Sequence, residues 1–158
     1  MDPGATIGSR RPMTPIEPVS AHTNSWTGTD GDLSTPTQVH DLVITFYREI
    51  VFDELLEPVF GEVAEVDWAE HIPHLIDYWC HILFRTGPYA GSVTKTHRHL
   101  HELAPIRPEH CDRWYVLWTR SLDERWAGPY ADLAARHAAT LMAGLAKRVF
   151  GFDWAPPS

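Results

Sequence analysis

His71-Ile-Pro-His-Leu-Ile-Asp-Tyr-Trp79, Lys95-Thr-His-Arg-His-Leu-His-Glu-Leu103 and Arg113-Trp-Tyr-Val-Leu-Trp118 decide how this chain is read. Apolar residues recur three and four apart through them, as on one face of a helix: Ile72, Leu75, Ile76, Trp79 and Leu83 in the first, Trp114, Trp118 and Leu122 in the third. Histidines and polar aromatics sit among these apolar residues. The three segments therefore offer a metal ligand, a facing polar group and a large apolar wall.

The helical period continues on both sides. Thr35-Pro-Thr-Gln38 sets a capping hydroxyl before a proline at the first helical position, with Gln38 able to reach back to an open amide. It predicts a helix through Val39, Leu42, Val43, Phe46 and Ile50 to about Phe52, then a short helical turn from Glu54 to Val59, ahead of Phe60-Gly61. Asp67, with Glu70 three residues on, opens a helix that should end before Gly87-Pro88. Pro73 lacks an amide donor, so the first turn, and with it His71, is expected to be irregular. A shorter helix spans Val93 to Leu103 and stops before Pro105. A longer one starts at Pro108-Glu109, and the last starts near Pro129 with Leu133, Leu141, Leu145 and Val149 on its core face. No stretch alternates with period two over a strand's length, and the fold class is all-α.

Residues 1–34 are rich in Pro, Gly, Ser and Thr and hold few large apolar side chains, so they read as a disordered extension. One domain is expected over 35–152, with a short tail at 153–158. In a chain of 158 residues, a formal charge of −8 opposes a broad basic surface for nucleic acid or anionic lipid. Cys80 and Cys111 fall in apolar helical patterns without a CxxC or CxxCH spacing, and read as small buried hydrophobes. Arg10-Arg11 is followed by a proline-rich stretch instead of an apolar one, and no apolar run is long enough to span a bilayer. A cytoplasmic location is expected.

His97 and His101 lie four apart and share a helix face, an arrangement that can hold a divalent metal, but HExxH and a nearby cysteine ligand are both missing. Haem requires other things: one neutral imidazole, a slot of bulky apolar side chains, and polar groups opposite to tune the ligand. Phe46, Phe60, Leu75, Ile76, Trp79 and Phe84 can wall such a slot, Tyr47 and Trp114 are aromatics with one polar atom each, and His71 begins a helix that carries an apolar face. Two other readings stand beside it, a haem-free helical interaction module and a zinc-binding helical protein that uses the His97/His101 pair.

Taken in order, Phe46-Tyr47, Pro58-Val-Phe60, Trp68-Ala-Glu-His71, Tyr78-Trp79, Tyr89-Ala-Gly91, His97 and Trp114 resemble the pattern of group III truncated haemoglobins, from about residue 37 to 150. The resemblance implies a truncated globin fold, a helical sandwich around non-covalent haem b with five-coordinate iron. It assigns the proximal iron ligand to His97, with His99 as the rival and His101 suited to a supporting role. It implies a distal cage of Tyr47, His71 and Trp114, Leu75 as apolar cover, Phe60 against the porphyrin, and Phe46 and Trp79 in the wall. Lys95 and Arg98, flanking His97, are the candidates for the haem propionates. The implied ligands are oxygen, nitric oxide and carbon monoxide, with sulfide and peroxide as further candidates. Sensing, detoxification or redox chemistry is expected in preference to bulk oxygen storage, because several distal donors slow oxygen release. Nitric oxide dioxygenase or peroxidase-like turnover would need an external reductant, supplied by a separate reductase, since no flavin or nicotinamide motif occurs.

Overall fold

The computed structural model describes residues 30–63, 67–86 and 92–158. Five α-helices carry the structure: α1 (Pro36–Val51), α2 (Trp68–Phe84), α3 (Val93–Leu103), α4 (Pro108–Asp123) and α5 (Pro129–Leu145). A π-helical turn, Pro58–Val63, follows α1, and another, Ala146–Phe150, continues α5. No strand occurs among the described residues, and none of their helices is long and apolar enough to cross a membrane.

The helix starts follow the local chemistry. Thr35 Oγ1 accepts from the Gln38 amide while Gln38 Oε1 accepts from the Thr35 amide, the reciprocal cap expected from the sequence. The Asp67 carboxylate accepts from the Ala69 amide. Pro73 does not break the first turn: α2 runs unbroken from Trp68 and ends where Arg85 takes a left-handed conformation, φ 58°. The turn expected over Glu54 to Val59 is present from Glu54, and from Pro58 it continues as a π-helical segment that runs beyond Phe60-Gly61. Gly61 permits it, because a Cβ there would collide with the Glu57 carboxylate.

Helix α1 packs on α2 and α4, α4 and α2 pack on α5, and α3 rests on the C-terminal π-helical turn. Phe46, Leu42, Ile50, Trp118 and Leu122 are fully or almost fully enclosed in one cluster. Val59, Ile106, Cys111, Met142, Leu145 and Phe150 form a second, and both Phe60 and Trp114 touch the two. Both cysteines are buried and unpaired, and burial pushes the Cys111 thiol up to about 12, consistent with packing rather than reactivity. On α5 the buried stripe is Ala131, Ala134, Ala138, Met142 and Leu145, whereas Leu133, Leu141 and Val149 are only partly covered. Small side chains let α5 approach Trp118, whose indole N–H donates to the Ala134 carbonyl at 3.2 Å.

Packing contacts also occur ahead of Thr35. Leu33 is fully buried, Asp30 pairs with Arg125, and Asp32 accepts from the Tyr130 and Ala131 amides at 3.0 and 2.9 Å, so this side chain caps α5. Gly128, at φ 144°, is needed beside it, since a Cβ would meet the Asp32 carboxylate. At the other end, within the expected tail, Trp154 donates to Asp112 at 2.8 Å and packs against Tyr115. Asp32→Ala is expected to destabilise the protein by about 1–2 kcal/mol, the cost of losing a charged cap. Urea unfolding should show a lower midpoint at unchanged slope; an unchanged midpoint would mean water replaces the carboxylate without loss. Residues 1–29 and Tyr89-Ala-Gly91 lie outside the described residues.

Candidate functional site

A cavity of about 400 Å3 opens between the helices, within the ~300–1,000 Å3 used by small-molecule and cofactor sites. From α3, Val93, Leu100 and Leu103 line it together with His97, and His97 is partly covered there. Phe46 and Tyr47 of α1 and Val59 and Phe60 of the first π-helical turn form another side, facing Leu141 and Met142 of α5. Helix α2 contributes His71, Leu75, Tyr78 and Trp79, and α4 contributes His110 and Trp114.

The three histidines of α3 are separated by their surroundings. His97 lines the cavity and its Nδ1–H donates to the Val93 carbonyl, one turn back, at 2.8 Å. That bond fixes the tautomer and leaves Nε2 with the free lone pair. Burial lowers the His97 pKa, only partly offset by the Val93 bond, so the ring is neutral at pH 7. His99 stands at the rim, largely exposed, 3.8 Å from Glu102. His101 accepts the Ile106 amide on Nδ1 at 2.9 Å, which ties the end of α3 to the start of α4. No group of three or more His, Cys, Asp or Glu suited to a metal ion occurs among the described residues.

His71, Tyr47 and Trp114 meet at another part of the cavity. The Tyr47 ring stands 6.1 Å from His71 and 5.0 Å from Trp68, and Phe46 is edge-on to both Tyr47 and Trp114. Trp114 adjoins Tyr47 across Phe46, and its indole N–H can only donate. Burial raises the Tyr47 pKa, and Trp114 lowers it less, so the phenol stays protonated. The His71 pKa is lowered, first by burial and then by His97 and His74, which makes His71 neutral as well.

Of the residues singled out from the sequence, His97, Phe46, Phe60, Leu75, Trp79, Tyr47, His71 and Trp114 all line this cavity. Lys95 and Arg98 do not: both are exposed on α3, and nothing in the geometry singles them out for a propionate. Ile76 and Phe84 pack against the first core cluster instead. Further polar side chains that the sequence does not single out also line it, among them His74, Tyr78 and His110. His110 gave a signal, as the third residue of a helix begun by Pro108: its Nδ1 accepts the Arg107 amide at 2.9 Å, a one-sided cap made by a histidine. Burial lowers its pKa, so Nε2 carries the single ring proton.

Comparison with solved structures finds the group III truncated haemoglobin of Campylobacter jejuni at a TM-score of 0.65 and 22% identity, over 74% of this chain and 92% of that one. The chain has the truncated globin fold. No protein-family model and no curated protein matches the chain. Within the truncated globin fold, the cavity described above lies between the two core clusters that Phe60 and Trp114 bridge.

Proposed function

We propose that the cavity holds haem b and that the protein binds small diatomic ligands there. One observation carries this reading: an apolar cavity wall bears a neutral histidine, His97, whose Nδ1 is tied to a main-chain carbonyl, so that Nε2 is its free donor atom. A neutral imidazole with its second nitrogen held by a carbonyl is the donor chemistry that axial ligation of haem iron requires. Phe46, Phe60, Leu75, Val93, Leu100 and Phe150 supply the water-excluding surface for a flat apolar ring. Phe150, 6.5 Å from the His97 ring, limits its rotation. The similarity to the Campylobacter protein supports the same choice of cofactor.

Bound haem supplies an iron that takes up oxygen, nitric oxide or carbon monoxide. The residues at Tyr47 determine how long a ligand stays. An indole N–H given by Trp114 to the Tyr47 oxygen would polarise the phenol and leave its O–H as a donor to a polar ligand. His71, neutral, adds a second donor or receives a proton. Such a cage favours a ligand that reacts in place over one that must be released, so detoxification or redox chemistry of nitric oxide, with a separate reductase, suits it better than oxygen storage.

Hemin titration of the purified protein is the decisive test. A saturable Soret band that shifts when dithionite and carbon monoxide are added is the expected result, and hemin that stays unbound would overturn the proposal. Tyr47→Phe should speed oxygen dissociation by roughly 5- to 150-fold, equivalent to losing a bond of about 1–3 kcal/mol. Stopped-flow exchange of oxygen for carbon monoxide measures it; an unchanged rate would show that the hydroxyl is not aimed at the ligand.

A further inference from the structure

Tyr78 lines the cavity on α2, and its hydroxyl lies 2.6 Å from Nε2 of His137 on α5. His137 is half-buried and its pKa is lowered by that burial, so the ring is neutral at pH 7 and its Nε2 can receive the phenolic hydrogen. The pair is not isolated. Trp79 is edge-on to both Tyr78 and His137, at 5.5 Å from each. Trp79 also stacks on Trp118 at 4.5 Å, and Trp118 lies parallel to Trp114 at 5.9 Å. A phenol hydrogen-bonded to a base therefore adjoins a run of three tryptophans, both ends of which reach the cavity wall.

A phenol is hard to oxidise by electron loss alone, because the cation that results is strongly acidic. A base already within hydrogen-bond distance removes that barrier by taking the proton in the same event. We infer that Tyr78 is a redox-active residue that gives one electron to the bound cofactor and its phenolic proton to His137 Nε2 when a hydroperoxide is the oxidant. The inference rests on the proposed haem reading. The O–O bond of the hydroperoxide would break as it takes up two electrons, one drawn from the cofactor and one from Tyr78. One oxygen would leave as the alcohol or water with the hydroperoxide's own proton, and the other would stay with the cofactor until a second one-electron reductant and two protons from solvent release it as water. The Tyr78 O–H bond breaks, which leaves a neutral phenoxyl radical beside a His137 imidazolium. A one-electron reductant, such as a small phenol, then restores the Tyr78 electron while His137 returns the proton. The tryptophan run lies alongside as the route by which an oxidising equivalent formed near Trp114 reaches the same pair.

Haem-loaded protein mixed with one equivalent of hydrogen peroxide and freeze-quenched should give a tyrosyl electron paramagnetic resonance signal that narrows when the tyrosine rings are deuterated. Tyr78→Phe, which keeps the ring and its packing, should retain the Soret band and lose the signal. His137→Phe should keep a tyrosyl radical but move the largest g component of its high-field spectrum upward, as expected once the phenoxyl oxygen has lost the hydrogen bond from His137. A full-strength tyrosyl signal in haem-loaded Tyr78→Phe would overturn the inference and leave the haem reading intact. A g component unmoved by His137→Phe would also overturn it, since the radical would then not be bonded to that histidine. Absence of any Soret band in the parent protein would overturn the haem reading, and this inference with it.

Discussion

His97→Gly protein is expected to purify without a Soret band and to gain a five-coordinate one when hemin and imidazole are supplied together. The substitution removes the single cavity-lining nitrogen whose partner atom is already held by a carbonyl, while the hole it leaves accepts free imidazole. Loss of an outer-shell partner typically costs ~10–100-fold in metal affinity, so loss of the ligand itself should exceed about 100-fold. The neighbouring histidines serve as internal controls. His99→Ala, at the exposed rim, should leave the spectrum unchanged. His101→Ala removes the acceptor of the Ile106 amide, so about 0.5–1.5 kcal/mol of stability should go while coordination stays. An unchanged Soret band in His97→Gly would sink the assignment of the axial ligand, and a band lost only in His99→Ala would transfer it to that residue.

Trp118→Ala should produce the largest loss of stability, about 3–5 kcal/mol, the range for deleting a buried tryptophan and leaving a cavity. Trp118 is completely enclosed, stacks between Trp79 and Trp114, meets Phe46 edge-on at 5.0 Å, and donates to Ala134. Against a total of ~5–15 kcal/mol for a typical domain this is a large share. The melting temperature should fall by roughly 6–20 °C, read by circular dichroism with wild type and variant at the same cofactor occupancy. Trp114 would lose the ring that aligns it at the same time, so oxygen should leave faster than in wild type in whatever fraction stays folded. A shift of only a degree or two would mean that α5 collapses onto the space, an outcome its small alanines would otherwise be expected to resist.

The helices were legible because their signals are local. Thr35 and Gln38, Pro108 and Pro129 act within four residues of themselves, and they set the starts of α1, α4 and α5 where the sequence places them. The cap at the start of α2 was legible too, although the effect of Pro73 was overestimated: a proline disturbs a helix through neighbours that this chain accommodates without a break. The turn after α1 was legible as helical, but its passage into π-helical geometry at Pro58 is a hydrogen-bond detail that no hydrophobic period records. On α5 the apolar period found Leu145, which is buried, and Leu133 and Leu141, which pack at the edge of the core, but it did not single out the alanines whose small side chains let a tryptophan approach.

The candidate site divides in the same way. That α3 carries histidines on a helix beside apolar residues, and that α2 and α4 present aromatic faces, follows from spacing of three and four residues, and the tether from His97 to Val93 is itself a contact within one helical turn. By itself, then, the sequence determined the helical class, the helix starts and the residue types available to a site. Only the tertiary structure decided which histidine faces the cavity, which one caps and which one stands in solvent, because chains meeting from different helices settle that choice. It also decided the docking of Asp32 on the α5 amides and of Tyr78 on His137, contacts between residues 98, 99 and 59 positions apart. Helical periodicity and capping carry information over a few residues, and a hydrogen bond across such a separation exists only once packing has brought its two ends together.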